Sequence, residues 1–383
     1  MTSAREAIQQ AERTTSAPSP TRRGRRVLIT EGAGGQSRAA VAAVRALAQE
    51  GYEPIVTVTG DLCLAASSRY CAGQVPVPSA LDDPEAYADA VRAELAAHDY
   101  VAVLPASDAA ILALDMPLRH LLDKAACAEA AQRVGLSVPP TEVFTSLEEV
   151  KERADRLEYP VVVKPDLKRL MAARADSPPE LVAAATAVLA AGARILVQPY
   201  LADVLHGVVG TAWKGRIVVA MHMRYRGIWP QPCGTVASAE TIAPDEELEG
   251  RLAALLRDYD GVFHADLAGP YLLDLNPRIH ATLPLAVATG VNPVARYCDL
   301  VLGVDVATAR SRPGVFFRWI GGDLRSIIYR VGRGELGWGE ALRLAAPRWG
   351  AVHSLESWRD PGPMLTHARR LARRLAHPDA IRW

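Results

Sequence analysis

The strongest constraint on the fold lies between Arg26 and Ser107, where short β-rich runs alternate with Ala-rich helical ones. "RVLIT" is followed by the loop "EGAGGQS", by the helical stretch "RAAVAAVRALAQEG" ending at a glycine, and by the strand "PIVTV". Strand, helix and strand in that order read as a βαβ unit, whose strands pair in parallel. "YADAVRAELAAHD" and "YVAVLPAS" continue the pattern as helix and strand. Residues 26–116 are therefore expected to form one α/β lobe of Rossmann-like type.

A second unit starts near residue 117. It reads as a helix "DKAACAEAAQRVG", a bend "LSVPPTEVF", a helix "SLEEVKERADRL", the strand "YPVVVKP", a helix "SPPELVAAATAVLAAG" and the strand "RILVQPY". From 205 the pattern turns β-rich, with "VVGTAWKGRIVVAMHMRYR" forming a hairpin turned at Lys214–Gly215, then a helix over 245–258 and a further pair of strands. The tail, 305–383, is mixed and ends in the amphipathic "MLTHARRLARRLA", whose arginines read as a solvated face. A chain of 383 residues should hold two or three lobes.

Bulk properties remove whole function classes. Lys plus Arg equals Asp plus Glu at 43 each, and no basic stripe with interleaved aromatics stands out, so nucleic acid is not an expected partner. No run reaches the roughly 18 apolar residues of a membrane span. The first 25 residues, rich in Ser, Thr, Arg and Pro, lack an apolar core and read as a disordered leader, not a signal peptide. Cys63, Cys71, Cys127, Cys233 and Cys298 are odd in number, scattered and without a C-x-x-C pair, which fits free thiols and a cytoplasmic location.

The chemistry concentrates in "GVFHADLAGPYLLDLNPR". In a strand, residues two apart share a face, so Asp274 and Asn276 present neighbouring oxygen ligands, with Arg278 just past the strand end. A three-residue loop of Gly269, Pro270 and Tyr271 sets Asp266 opposite Asp274. Opposed carboxylates repel, and an all-oxygen set fits Mg²⁺ shared with ATP phosphates better than zinc. Lys164 follows a buried valine strand at Pro165, and Lys124 stands at a helix start, where a phosphate finds a point charge and free N–H groups. The glycine loop Gly32 to Ser37 imitates a dinucleotide fingerprint incompletely: Ser37 holds the third glycine position, and Asp61 lies just past the strand end where an acidic residue is expected. It reads as backbone economy or a substrate loop.

Taken in order, "VLITEGAGGQSRAAVAAVRALAQEGY", "VLPASDAAILAL", "DKAACAEAAQRVGLSVPPT", "YPVVVKPD", "ILVQPYL" and "GVFHADLAGPYLLDLNPRIHATLPLAVATGVNPV" resemble the ATP-grasp superfamily over roughly residues 26–305. The likeness is to its carbamoyl-phosphate-synthase-like and carboxylate–amine ligase branch. It implies an α/β chain of ATP-grasp fold with an N-terminal Rossmann-like pre-ATP-grasp domain at 26–116, a small lobe at 117–200, a large lobe at 201–305 and a C-terminal extension at 306–383. It further implies that Lys124 and Lys164 contact ATP phosphates, and that Gln198, Pro199, Tyr200 and Leu201 form the hinge strand at the adenine. Asp203 substitutes for a ribose-binding glutamate, Asp266, Asp274 and Asn276 bind Mg²⁺, and Arg278 steadies the γ-phosphate or an oxyanion.

Arg224 and Arg226 lie where they would face the same cleft and hold a carboxylate, whereas His280 reads as a packed histidine. The chain departs from the resemblance at the phosphate flap, "DLKRLMAARADSPP", which has no glycine; Lys168 and Arg169 stand in for backbone donors, or substrate or a partner orders the segment. Pro199 also stands where an acidic residue is common. The implied activity joins a small-molecule carboxylate to an amine through an acyl phosphate, and a homo-oligomer is compatible with the sequence. Bicarbonate activation, a non-catalytic scaffold and a nicotinamide oxidoreductase are the rivals.

Overall fold

The computed structural model describes residues 22–167 and 170–376, so the expected leader falls almost wholly outside the described residues. The N-terminal lobe consists of β1 (Arg26–Thr30), α1 (Arg38–Gln49), β2 (Glu53–Val58), β3 (Gly73–Pro76), α2 (Pro84–Ala97) and β4 (Ala102–Pro105). Its four strands are parallel in the order β3-β2-β1-β4. Alanines let α1 lie close on the sheet, with eight of its residues buried, and Ser37 caps it by accepting the Ala40 N–H. Strand β3 escapes sequence reading because "GQVP" has no apolar run.

The short helices α3 (Asp108–Ala113) and α4 (Arg119–Leu122) lead to α5 (Lys124–Arg133), which Asp123 caps. The small lobe follows: β5 (Glu142–Phe144), α6 (Leu147–Ala154), β6 (Val161–Pro165), β7 (Ala173–Ala175), α7 (Pro178–Ala190) and β8 (Ile195–Pro199). Its antiparallel sheet runs β5-β8-β6-β7 and buries Val161 and Val163 against the paired helices α6 and α7.

The large lobe begins with β9 (Leu205–Trp213), β10 (Arg216–Trp229), β11 (Thr235–Thr241), α8 (Glu246–Leu255), β12 (Gly261–Ala268) and β13 (Tyr271–Asn276). Then come α9 (Leu283–Ala288), α10 (Pro293–Val301), β14 (Ala309–Arg310), β15 (Phe316–Arg318), α11 (Ile320–Gly332), α12 (Trp338–Ala345), β16 (Val352–His353) and α13 (Gly362–Ala376). The eight-stranded sheet has the order β13-β12-β9-β10-β11-β15-β16, with β14 paired to β10. The β9–β10 hairpin turns at Lys214 and Gly215, both at positive φ, as the sequence indicates.

Residues after 305 thus complete the large sheet with three short strands instead of standing apart from it. They also reach back to the N-terminal lobe: Asp360 accepts from Arg45, from the Ser68 hydroxyl and from the Arg69 N–H. On α13, Arg369 is exposed as expected, but Arg370 donates to the Leu62 carbonyl at 2.7 Å. The helix lies against a lobe, so at least one of its arginines meets protein. Among the described residues, no helix is long and apolar enough to cross a membrane.

The glycine loop is anchored from inside. Glu31, 2 % exposed, accepts the Ser37 N–H at 3.1 Å and the Cys63 thiol at 3.5 Å, and burial raises its pKa above the ordinary 4.5. A carboxyl with a raised folded pKa contributes fully below its unfolded value and loses that contribution as pH rises through the folded one. Glu31→Gln keeps an acceptor for Ser37 without the charge, so its stability relative to wild type should improve between pH 5 and pH 8. Urea midpoints at both pH values test this, and a pH-independent difference would exclude it.

Candidate functional site

Strands β12 and β13 set Asp266 opposite Asp274, as read from the sequence, but by a different route. The turn holds two residues, Gly269 and Pro270, and a bulge at Leu273 adds the residue that restores the register. Gly269 adopts φ +51°, which suits so tight a turn. The bulge presents the Leu273 carbonyl to Lys164, whose ammonium donates to it at 2.9 Å. A sequence count of the loop cannot distinguish three turn residues from two plus a bulge.

Asn276 lies between the carboxylates, with Nδ2 3.4 Å from Asp266 Oδ2 and 3.5 Å from Asp274 Oδ2. Its Oδ1 accepts from Arg278 Nη2 at 2.7 Å, so that oxygen joins a metal's ligands only by leaving Arg278. The repulsion between the aspartates is met within the protein. Asp266 accepts the Tyr225 hydroxyl and faces His264 Nδ1 at 3.3 Å, and Asp274 lies 3.6 Å from the Lys124 ammonium. Among the described residues, no three His, Cys, Asp or Glu side chains gather as a metal cluster. Two carboxylates and an amide instead fit a hard cation whose remaining ligands are phosphate oxygens and water.

Arg278 is not a free side chain past a strand end. It is 8 % exposed, its Nε is held by Asp108 at the start of α3, and the next residue's N–H, that of Ile279, donates to the Pro105 carbonyl at 3.1 Å. Asp108 gave no sequence signal beyond a helix start. Lys124 opens α5 as expected. Lys164 is buried, and desolvation, with Lys124 acting in the same sense against Asp274, pushes its pKa down to about 8.

At the end of β8, the buried Gln198 donates to Thr141 Oγ1 at 2.7 Å, and the Tyr200 ring lies 4.5 Å below Arg174. Asp203 is exposed and accepts its neighbour Val204 N–H at 2.6 Å. Lys168 and Arg169 fall outside the described residues, and beside them the exposed Leu170 and Met171 give the flap an apolar rim. Arg224 and Arg226 are exposed, and Glu240 on β11 engages Arg226 at 2.7 Å. Both nonetheless line the same cavity as the aspartates, as expected, and strand alternation turns Tyr225, between them, toward Asp266. His280 is packed as read, stacked 3.6 Å from His264 and bonded to the Thr282 hydroxyl at 2.9 Å.

Apart from Lys168 and Arg169, the side chains assigned from the sequence to nucleotide, metal or substrate line one cavity of about 1030 Å³, together with Gln36, Ser37 and Arg38 from the glycine loop and α1. Sequence reasoning missed Tyr225 and His264, whose contact at 3.0 Å crosses the intervening strand β9. The crossing point is Gly207, where a Cβ would stand 2.7 Å from the Tyr225 hydroxyl and 3.1 Å from His264 Nε2.

No protein-family profile matches the chain. A carbamoyl phosphate synthase large chain from Thermotoga petrophila is 28% identical over 197 residues, which are 47% of this chain and 18% of that one. The matched region thus spans under a fifth of that relative. Among solved structures, an L-amino acid ligase from Bacillus licheniformis superposes with a TM-score of 0.56 at 19% identity, covering 74% of this chain and 75% of that one. Biotin carboxylase from Campylobacter jejuni gives 0.55 at 16%, covering 74% and 72%. N5-carboxyaminoimidazole synthetase from Staphylococcus aureus, complexed with ADP, gives 0.57 at 12%, covering 76% and 81%. At these identities the likeness is one of fold.

Gly207→Ala should cost about 1–3 kcal/mol by overpacking against Tyr225. Adding Tyr225→Phe, which deletes the clashing oxygen, should recover part of that loss, with a coupling above about 0.5 kcal/mol in a double-mutant cycle. Additive denaturation midpoints would show that the two residues do not meet.

Proposed function

Because this chain has the ATP-grasp fold, we propose that it is an ATP-dependent ligase that activates a carboxylate and passes it to an amine, releasing ADP and phosphate. One observation carries the reading: two lysines, the β8 edge, the opposed aspartates and the buried Arg278 face a single cavity. The similar proteins support it, since one is named a ligase of L-amino acids and another was solved with ADP.

In this reading Lys124 and Lys164 hold phosphate oxygens, Gln198 to Leu201 edge the adenine, and Asp203 meets the ribose. Asp266 and Asp274, with Asn276, would hold Mg²⁺, which supplies charge neutralisation on the transferring phosphoryl group. Arg278, oriented by Asp108, offers its remaining N–H groups to the oxyanion that develops when the amine attacks the acyl phosphate. Leu170 and Met171 exclude water as the rim closes. No side-chain nucleophile is required, and Cys233, the thiol on the cavity wall, is pushed up to about 11 by burial and stays protonated. Use of ATP and five free cysteines accord with a reducing cytoplasm.

ADP release should require both a carboxylate and an amine across a screen of amino acids and short acids, and hydroxylamine in place of the amine should yield a hydroxamate. Strict dependence on bicarbonate without any organic acid would reassign the chain to bicarbonate activation, and tight ATP binding with no turnover would make it a scaffold.

The lowered pKa of Lys164 gives a second test. Phosphate binding requires the ammonium, so above about pH 8 the free protein must take up a proton to bind. Mg-ATP affinity, measured by calorimetry, should weaken by roughly tenfold per pH unit beyond that point, and Lys164→Gln should bind weakly with no such slope. An identical slope in the variant would remove Lys164 from the phosphate site.

A further inference from the structure

We infer that the cavity recognises its organic substrate through a carboxylate separate from the reacting group, and that Arg38 holds it on the wall built by the N-terminal lobe. The inference rests on the ligase reading for the substrate's fate, not for its binding.

Arg38 is the first residue of α1, and its guanidinium lies 3.7 Å over the Trp319 ring. Nη1 donates to the Ser354 hydroxyl at 3.1 Å. Among the described residues, no carboxylate comes within ion-pairing reach of Arg38, and its Nε and Nη2 have no protein acceptor. Burial pushes its pKa down to about 10, with Glu356 opposing from a distance. By surface area the side chain is half-buried, with one face on a ring, one edge on a hydroxyl and the other edge open to the cavity, an arrangement suited to an anion. The open Nε–Nη2 edge is the planar fork that takes a carboxylate in two parallel bonds.

The other cations of the cavity are spoken for or loose. Lys124 faces Asp274, Lys164 the Leu273 carbonyl, Arg226 Glu240 and Arg278 Asp108. Arg224 and Arg330 have no side-chain contact that fixes them among the described residues. Arg38 is therefore held in place by a ring and a hydroxyl, without a carboxylate partner among the described residues and with one edge open. His280 and Ala281, which directly follow Arg278 and Ile279, line the same cavity as Arg38, and α1 packs on α9, which starts five residues after Arg278. A small acid gripped at Arg38 can thus extend toward Arg278 and the aspartates. The substrate class is an amino acid or a short dicarboxylic acid.

Melting of the full chain, without nucleotide, is measured against glycine and glycinamide, β-alanine and β-alaninamide, succinate and succinamide, and inorganic phosphate. At least one acid should raise the wild-type melting temperature where its amide does not. In Arg38→Gln the half-maximal concentration should rise roughly tenfold to a hundredfold. Should that variant not fold, Arg38→Lys, which keeps the charge without the fork, should show the same direction of loss. Equal shifts by acid and amide, equal shifts in wild type and variant, no shift by any acid, or a shift by phosphate alone would each overturn the inference. Because turnover is not read, failure of the ligase reading shows separately, as absent ADP release.

Discussion

A buried guanidinium ties the molecule together. Arg278 lies among three partners, Asp108 from the N-terminal lobe, Asn276 at the end of β13 and the Ile279 carbonyl, and the ion pair joins residues 170 positions apart. A charge removed from water is tolerated only when such partners are supplied, and removing one of them costs more than the pair gains. The bond from Ile279 to Pro105 and that from Gly32 to the Ser107 hydroxyl at 3.3 Å run through the same junction. The glycine loop, the start of α3 and the end of β13 are therefore held at fixed separation, and the cavity is the space that this leaves.

The carboxylate charge in that cavity is met within the protein. Two aspartates face each other across a ladder, where like charges destabilise, yet each has its own answer: a tyrosine hydroxyl and a histidine for Asp266, a lysine for Asp274. The two answers differ in kind. Tyr225 reaches its carboxylate only because β9 has no side chain at Gly207, so a strand that carries no functional group decides whether one can act. In the proposed reading Lys124, on a flexible stem, would leave Asp274 for a phosphate.

The sequence reads best where the argument needs only period and order. The alternation in "LLDLN" places Asp274 and Asn276 on one face, and their register with Asp266 comes out right even though the turn is shorter than read, because a bulge compensates. It reads poorly where a contact depends on a third element. Tyr225 lies between two arginines that draw attention as charges, and nothing local shows that β9 separates it from His264. Asp108 is legible as a helix start, but its partner is 170 residues on. Strands β3, β7 and β14 to β16 are too short to show periodicity, and they form because a neighbouring edge offers hydrogen bonds, not because their residues demand it.

These limits follow a division within the site. In the proposed ligase reading the phosphate-facing groups lie on or beside regular elements, Lys164 ending β6, Lys124 opening α5 and the aspartates on β12 and β13, and such positions are both rigid and readable. The groups proposed to face the organic substrate come from the glycine loop, the start of α1 and the tail's Trp319, brought together only by the packing of three lobes. On that reading the strands supply the phosphate site, while the lobe interface, which carries no regular pattern, would be where the organic acid is chosen.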